Sequence, residues 1–303
     1  MTRVAVVDVG TNSVRLLVAD PDDPLRYLDR RMKITRLGAG VDRNGHLDDA
    51  ALARTLDCIA GYARRWEEFG ALRARVTATS AIRDAADRER FFAGVRERTG
   101  VDAEVLTGED EAAVSFRGAT WSVAGEPPYL VVDIGGGSTE FVLGSAKPEA
   151  VVSRQLGCVR LSERRLRSDP PTGDEMAAAE TDVDTELDAL AGVVDAGAAR
   201  TLVGVAGTVT TLGALHLELD EYDAQRIHGT RVPAGTVRAL TDRLAAMPVA
   251  EIAALGPMAP GREDVMVPGA LILARVVERF GFDDVLVSEA DILDGLALGL
   301  LDR

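Results

Sequence analysis

The sequence predicts an α/β protein of two domains, and three observations lead there. A short unit occurs twice: an apolar run ending in Asp, a turn of glycine and hydroxyl residues, and a returning apolar strand. It reads DVGTNSVRL at Asp8–Leu16 and DIGGGSTE at Asp133–Glu140. The offset of 125 residues (133 − 8) is too long for a solenoid period and fits two duplicated domains. Strand-like and helix-like segments alternate, the pattern of a sheet with parallel crossovers. Finally, 303 residues at 47% apolar content suffice for two cores.

Taking the elements in order, Val4–Val7, Ser13–Ala19 and Leu25–Lys33 read as strands, the last reached through a turn at Pro21–Pro24. Leu52, Leu56, Ile59, Ala63 and Trp66 step by fours and threes, so Asp49–Phe69 is an amphipathic helix that Gly70 ends. A strand follows at Arg75–Ala78, then a helix from about Asp84 to Arg98 stopped by Gly100, a strand at Ala103–Leu106 and a short helix over Glu109–Thr120. Gly125-Glu126-Pro127-Pro128 marks the expected junction, giving domains of 1–124 and 125–303. The closing helix, about 289–303, is expected to pack back on the first domain.

The second half starts again with strands at Tyr129–Asp133, Thr139–Leu143 and Ala150–Gln155. Pro170-Pro171 introduces a helix over Asp174–Leu190, and a strand at Thr201–Val205 runs through Gly207-Thr208 into another helix. Val267–Phe280 is a helix with Pro268 at its start, followed by a strand at Val285–Ser288 and a helix at Asp291–Leu301. Each domain is expected to hold a five-stranded mixed sheet.

Composition excludes several classes of function. There are 34 Lys and Arg against 49 Asp and Glu, a net charge of −15, which argues against a nucleic-acid or anionic-membrane surface as the main partner. Only Lys33 and Lys147 are lysines, so phosphate contacts would fall to arginine, the better bidentate ligand. Cys58 and Cys158 lie far apart, which suits a reducing cytoplasm and no thiolate metal site. No apolar run approaches the roughly 18 residues that span a bilayer, and no leader pattern opens the chain.

The chemistry lies in the repeated turns. Glycines let successive backbone N–H groups converge on one concavity, an anion site, and an Asp at the strand end can hold a divalent cation or a water beside it. A GGG turn alone is more often a bare hairpin; the pairing with DVGTNS favours two loops that grip a phosphate chain from both sides of a cleft. Nothing resembles a Ser/His/Asp arrangement or a zinc site.

In these motifs the sequence resembles the exopolyphosphatase / guanosine pentaphosphate phosphohydrolase family, within the actin, sugar-kinase and heat-shock-70 ATPase superfamily. DVGTNSVRL resembles its first phosphate loop and DIGGGSTE its second. RLGAG at Arg36–Gly40, TSAIRDA at Thr79–Ala85, GEDEA at Gly108–Ala112 and SEADILDGLALG at Ser288–Gly299 resemble further family segments in the family's order. The resemblance implies two actin-like (ribonuclease H-like) α/β domains with an interdomain active-site cleft. It implies hydrolytic release of terminal orthophosphate from inorganic polyphosphate. The alternatives are guanosine pentaphosphate as substrate, or an ATP-binding regulatory protein of chaperone type. It also suggests a short form, without the helical C-terminal module that several members carry, and allows a homodimer.

Residue roles follow from the same resemblance. Glu111 stands in the place of the catalytic base; read without it, Glu109, Asp110 and Glu111 are equally the acidic first turn of a helix. Asp133 and Glu140 resemble ligands of Mg²⁺, with Mn²⁺ the alternative metal, and Asp8 is the third carboxylate. Thr11, Asn12, Ser13, Gly135, Gly136, Gly137 and Ser138 would hold phosphate. Arg83 stands where the family places a substrate-gripping arginine, against an ordinary surface arginine. In GVAGT, Gly207 can approach a phosphate, but Ala206 stands where glycine is expected, which weakens a full nucleotide pocket. Arg154, Arg160, Arg164, Arg165 and Arg167 offer a polyphosphate track, with a solvated helix face the alternative for the last three and Arg160 the better candidate. His228 is either a substrate contact or a satisfied structural histidine.

Overall fold

The computed structural model describes residues 2–22, 25–190 and 192–302, so Asp23 and Pro24 of the expected turn lie outside the described residues. The chain forms two compact units, one of residues 1–118 with 292–303 and one of residues 119–291.

In the first unit the strands are β1 (Val4–Val9), β2 (Ser13–Asp20), β3 (Arg26–Ile34), and, after helices α1 (Val41–Asn44) and α2 (Asp49–Glu68), β4 (Arg73–Ala78). Then come α3 (Ser80–Asp84), α4 (Glu89–Thr99), β5 (Ala103–Val105) and α5 (Gly108–Thr120). The sheet order is β3-β2-β1-β4-β5, an antiparallel meander of three strands continued by two parallel ones. Helix α2 buries Leu52, Leu56, Ile59, Ala63 and Trp66, the stripe its spacing predicts, and Asp48 caps it by accepting the Ala51 N–H at 2.8 Å. The single helix expected over 84–98 is instead α3 and α4. Asp87 breaks it, because its carboxylate accepts the Leu47 N–H at 3.0 Å and the Arg90 guanidinium at 3.0 Å, holding the chain in a turn.

The second unit runs β6 (Tyr129–Ile134), β7 (Thr139–Gly144), β8 (Pro148–Arg154), α6 (Cys158–Arg165), α7 (Gly173–Leu190), β9 (Thr201–Val205) and α8 (Ala206–His216). It continues with α9 (Ala224–Ile227), β10 (Arg231–Pro233), α10 (Ala234–Ala245), α11 (Val249–Ala253), α12 (Met266–Phe280) and β11 (Asp284–Val287). Its sheet has six strands, not five, in the order β10-β11-β9-β6-β7-β8. The extra strand β10 has three residues and pairs antiparallel with β11, too short to carry an alternating pattern. Setting it aside, β6-β7-β8 and β9 repeat the pairing directions of β1-β2-β3 and β4. Pro268 is the third residue of α12 rather than its first, still within the turn whose N–H groups lack intrahelical partners.

The second unit begins at Ala119 rather than at Gly125. The Gly125–Pro128 segment is tied to it: Thr201 Oγ1 accepts from Glu126 N–H at 3.1 Å and donates to Glu126 O at 2.9 Å, and Tyr129 OH donates to Gly125 O at 2.8 Å. The last helix, α13 (Ile292–Leu301), belongs to the first unit. Its fully buried Asp294 accepts from Tyr27 OH and, at 2.9 Å, from Arg30, both on β3. Gly295 lies against the Val114 carbonyl of α5, an approach that a Cβ would forbid.

Candidate active site

The two turns that repeat in sequence repeat in geometry. Gly10 N–H donates to Ser13 O at 2.9 Å, and Gly135 N–H donates to Ser138 O at 3.0 Å, closing the same tight loop between the first two strands of each unit. In each unit the segment after the third strand then occupies the loop carbonyls. Asn12 O accepts from Thr35 and Arg36, and Thr11 O from Gly38; Gly135 O accepts from Cys158, and Gly136 O from Val159 and Arg160. Arg160, itself buried, adds a bond from Nε to Gly137 O at 2.6 Å. With the three glycine carbonyls taken, anion-binding capacity in the second loop rests on its N–H groups. Those of Gly136 and Gly137 meet no backbone acceptor among the described residues.

In the first unit Thr11 Oγ1 and Ser80 Oγ share a buried hydrogen bond of 2.8 Å, linking the first loop to the start of α3. Asn12 and Ser13 are half-buried beside it. Helix α5 starts with Thr107 accepting the Asp110 N–H at 3.0 Å and donating to the Asp110 carboxylate at 2.8 Å, which assigns Asp110 to the helix cap. Glu109 and Asp110 are exposed, whereas Glu111 is 8% exposed. Arg83 Nη1 donates to Glu111 Oε2 at 3.0 Å and to Leu106 O at 3.0 Å. Its Nη2 is buried and meets no acceptor among the described residues, a donor that costs on the order of 1–3 kcal/mol unless an anion arrives to accept it.

The acidic pairs differ between the halves in a way the sheet register explains. Asp8 stands opposite Arg15 across β1 and β2, and Asp133 stands opposite Glu140 across β6 and β7, the same 125-residue offset (133 − 8 and 140 − 15). Arg15 reaches Asp8 at 2.6 Å, so the carboxylate expected as the third of the set has an arginine partner. Asp133 and Glu140 put two buried carboxylates opposite one another on one face, a pairing that suits a bound cation. Ser153 Oγ orients Glu140 by donating to Oε1 at 2.8 Å. Among the described residues no three His, Cys, Asp or Glu side chains gather into a metal-holding group.

The GVAGT loop explains its own oddity. Ala206, the first residue of α8, has φ of 69°, a left-handed conformation that glycine adopts freely and alanine at a cost of about 1–2 kcal/mol. The glycine that the family resemblance leads one to expect there would adopt this conformation without strain. We expect Ala206→Gly to raise the melting temperature by about 2 °C, since part of the relieved strain is offset by glycine's greater unfolded-state entropy. Differential scanning calorimetry checks it, and a lowered melting temperature would argue against strain at this residue. Gly207 lies directly under a side chain from elsewhere in the same unit. A Cβ there would lie 2.8 Å from Arg262 Nε, and Arg262 Nη1 donates to Gly207 O at 3.2 Å and to Thr211 Oγ1 at 3.0 Å. An arginine thus stands on the glycine expected to meet a phosphate.

The remaining candidates sort by partner. His228 Nδ1 accepts the Glu289 N–H at 3.2 Å, which leaves the proton on Nε2, 3.3 Å from Ser122 O; it is a satisfied structural histidine. Arg154 pairs with Glu186 at 2.6 Å and Arg165 makes a two-pronged pair with Asp182 at 2.6 and 2.7 Å, both acids on α7. Arg160 and Arg164 line a polar groove of about 340 Å³ with Gln155, Arg165, Asp182 and Glu186. The side chain of Arg167 is exposed, its backbone N–H bonded to Glu175 at 3.1 Å. Cys58 and Cys158 are free thiols, and burial pushes Cys158 up to about 11, far from a reactive thiolate. The residues that sequence reasoning missed are Arg15, Gly38, Gly157 and Arg262. A signal existed for two of them: Leu37-Gly38 in RLGAG and Leu156-Gly157 in QLGCV repeat one dipeptide at the same place in each half. None marked Arg262.

The chain is similar to known proteins along its whole length. A model of the Ppx/GppA phosphatase family matches residues 17–303. Exopolyphosphatase 2 of Mycobacterium tuberculosis is 45% identical over 99% of each chain. The guanosine-5'-triphosphate,3'-diphosphate pyrophosphatase of Aeromonas hydrophila is 29% identical over 98% of this chain but only 59% of its own length. Among crystal structures, an exopolyphosphatase-like protein matches with a TM-score of 0.96 at 37% identity, over 100% of this chain and 99% of the other. The Aquifex aeolicus Ppx/GppA family member matches with a TM-score of 0.84 at 32% identity, over 99% and 98% of the two chains.

Proposed function

Since this chain belongs to the Ppx/GppA phosphatase family, we propose that it is an exopolyphosphatase, releasing terminal orthophosphate from inorganic polyphosphate by attack of water on the end phosphorus. The observation that carries this reading is Glu111. Of the three acids that open α5, it alone is buried, and Arg83 fixes its carboxylate through Oε2. A base that orients and deprotonates water needs that combination of a set position and shelter from bulk solvent. Arg83, with a second donor nitrogen beside the one that holds Glu111, can take a phosphate oxygen next to the base.

In this reading the N–H groups of Gly136 and Gly137 and the hydroxyl of Ser138 hold phosphate oxygens in one unit, and Thr11, Asn12 and Ser13 do so in the other. Gly207 supports Arg262 rather than touching phosphate itself. Asp133 and Glu140 suit a hard divalent cation such as Mg²⁺, with Mn²⁺ an alternative, by the chemistry of their paired carboxylates. Asp8, paired with Arg15, is assigned to orienting the first strand end and not to the metal. When bound, the cation would neutralise charge on the phosphate oxygens. Glu111 holds the attacking water and accepts its proton, Arg83 keeps the carboxylate turned, and the loop amides bind phosphate oxygens. No group in this set implies a covalent intermediate.

No helix among the described residues is long and apolar enough to cross a membrane. We assign the protein to the cytoplasm, where its two free thiols would stay reduced. The test of function is phosphate release measured over a panel of polyphosphates of defined length, guanosine pentaphosphate and ATP. Polyphosphate should be the best substrate. Because Arg154 and Arg165 are already paired with α7, kcat/KM should not climb steeply with chain length. Activity confined to guanosine pentaphosphate would replace the substrate, and tight ATP binding without hydrolysis would replace the class.

A further inference from the structure

We infer that Gly157 is a positioning residue: it sets the Gly136–Gly137 peptide of the second loop so that the loop's N–H groups hold a phosphate. A Cβ on Gly157 would overlap the Gly136 carbonyl and lie 2.5 Å from the Gly137 nitrogen, so this peptide rests directly on the glycine's α-carbon. The residue is extended (φ −141°, ψ 159°), a conformation open to any amino acid, and close approach alone demands glycine. The segment that follows completes a bracket. Cys158 N–H donates to Gly135 O at 3.0 Å, Val159 and Arg160 donate to Gly136 O at 2.9 and 3.1 Å, and Arg160 Nε donates to Gly137 O at 2.6 Å. Every glycine carbonyl of the loop is therefore held on one side by the start of α6, and the peptides cannot rotate without breaking these bonds.

The other half of the chain repeats the device. Gly38, preceded like Gly157 by a buried leucine, lies against Thr11, the residue that corresponds to Gly136, so that a Cβ would collide with its methyl group. Gly38 N–H donates to Thr11 O at 2.8 Å. Two loops with different sequences, TNS and GGS, are thus held by the same Leu-Gly pair from the segment after the third strand. Since a preorganised loop binds its anion without first spending energy on ordering itself, displacing the peptide weakens phosphate binding directly.

This inference rests on the reading that the second loop holds a phosphate group. The probe is inorganic orthophosphate, measured by its inhibition constant against polyphosphate hydrolysis and by calorimetric titration. An inhibition constant does not depend on the fraction of enzyme that is folded, so it separates positioning from stability. Gly157→Ala should raise that constant and KM by about 10-fold or more, the worth of a hydrogen bond to a charged group. Gly173→Ala, where an added Cβ meets nothing within 4 Å, should change neither. Cys158→Pro is the second variant. It removes the donor to Gly135 O at the first position of α6, where proline is tolerated and the extended Gly157 before it is compatible. It should weaken orthophosphate in the same direction. Wild-type inhibition by orthophosphate in either folded variant overturns the inference, and failure of both to fold reduces Gly157 to a structural residue. If the wild-type protein itself neither hydrolyses polyphosphate nor binds orthophosphate, the functional reading falls instead.

Discussion

Glu111→Gln lowers turnover on polyphosphate by about 10²–10⁴, the usual worth of a positioned base, while KM and the melting temperature change little. Glutamine keeps the shape of the side chain and an oxygen to accept from Arg83, so the 3.0 Å contact survives and only the capacity to take a proton is lost. The half-buried arginine then lacks a formal partner charge, which a bound phosphate supplies. Glu109→Gln is the internal control. That side chain is exposed and lies in the first turn of α5 next to the capping Asp110, so the change should cost a few tenths of a kcal/mol of helix-dipole stability and no activity. Steady-state kinetics on both variants with calorimetry alongside checks this. Full activity in Glu111→Gln would remove the base from the mechanism, and a dead Glu109→Gln would show that the wrong acid had been chosen.

Asp133→Asn and Glu140→Gln raise the metal concentration needed for half-maximal rate by about 10-fold or more, since carboxylate charge sets the affinity of hard divalent cations. The two residues face each other across β6 and β7, both buried, and their like charges are best accommodated with a cation bound. A second readout is independent of activity. Mg²⁺ should raise the melting temperature of the wild-type protein and do so much less in either variant, because a ligand of the folded state stabilises it by mass action. Asp8→Asn should leave the metal midpoint where it was, as Asp8 is paired with Arg15 at 2.6 Å, and should act on stability instead. An unchanged midpoint in both Asp133→Asn and Glu140→Gln, or a shift in Asp8→Asn alone, would reverse this assignment.

The sequence by itself determined the duplication, the order of most strands and helices, and the identities of the loops. These are local properties: apolar periods of two and of 3.6 residues, glycine at turns, and a repeated motif whose spacing survives in the chain. The stripe on α2 and the turns at Gly10 and Gly135 needed nothing beyond that. Tertiary structure decided which side chains meet. That Asp8 faces Arg15 while Asp133 faces Glu140 follows from strand register, which pairs residues across a hairpin and fixes which charges share a face. That Glu111 turns inward while its two acidic neighbours do not depends on where α5 packs, since successive helical residues lie about 100° apart and only one can point at Arg83. Ala206 could be flagged as unexpected, but only its φ of 69° gives the reason. Gly157 carried a signal in the repeated Leu-Gly dipeptide, but only the structure shows that it lies against the Gly136–Gly137 peptide, and Arg262 was illegible because its partner, Gly207, lies 55 residues away in the chain (262 − 207), a contact that leaves no local pattern to read.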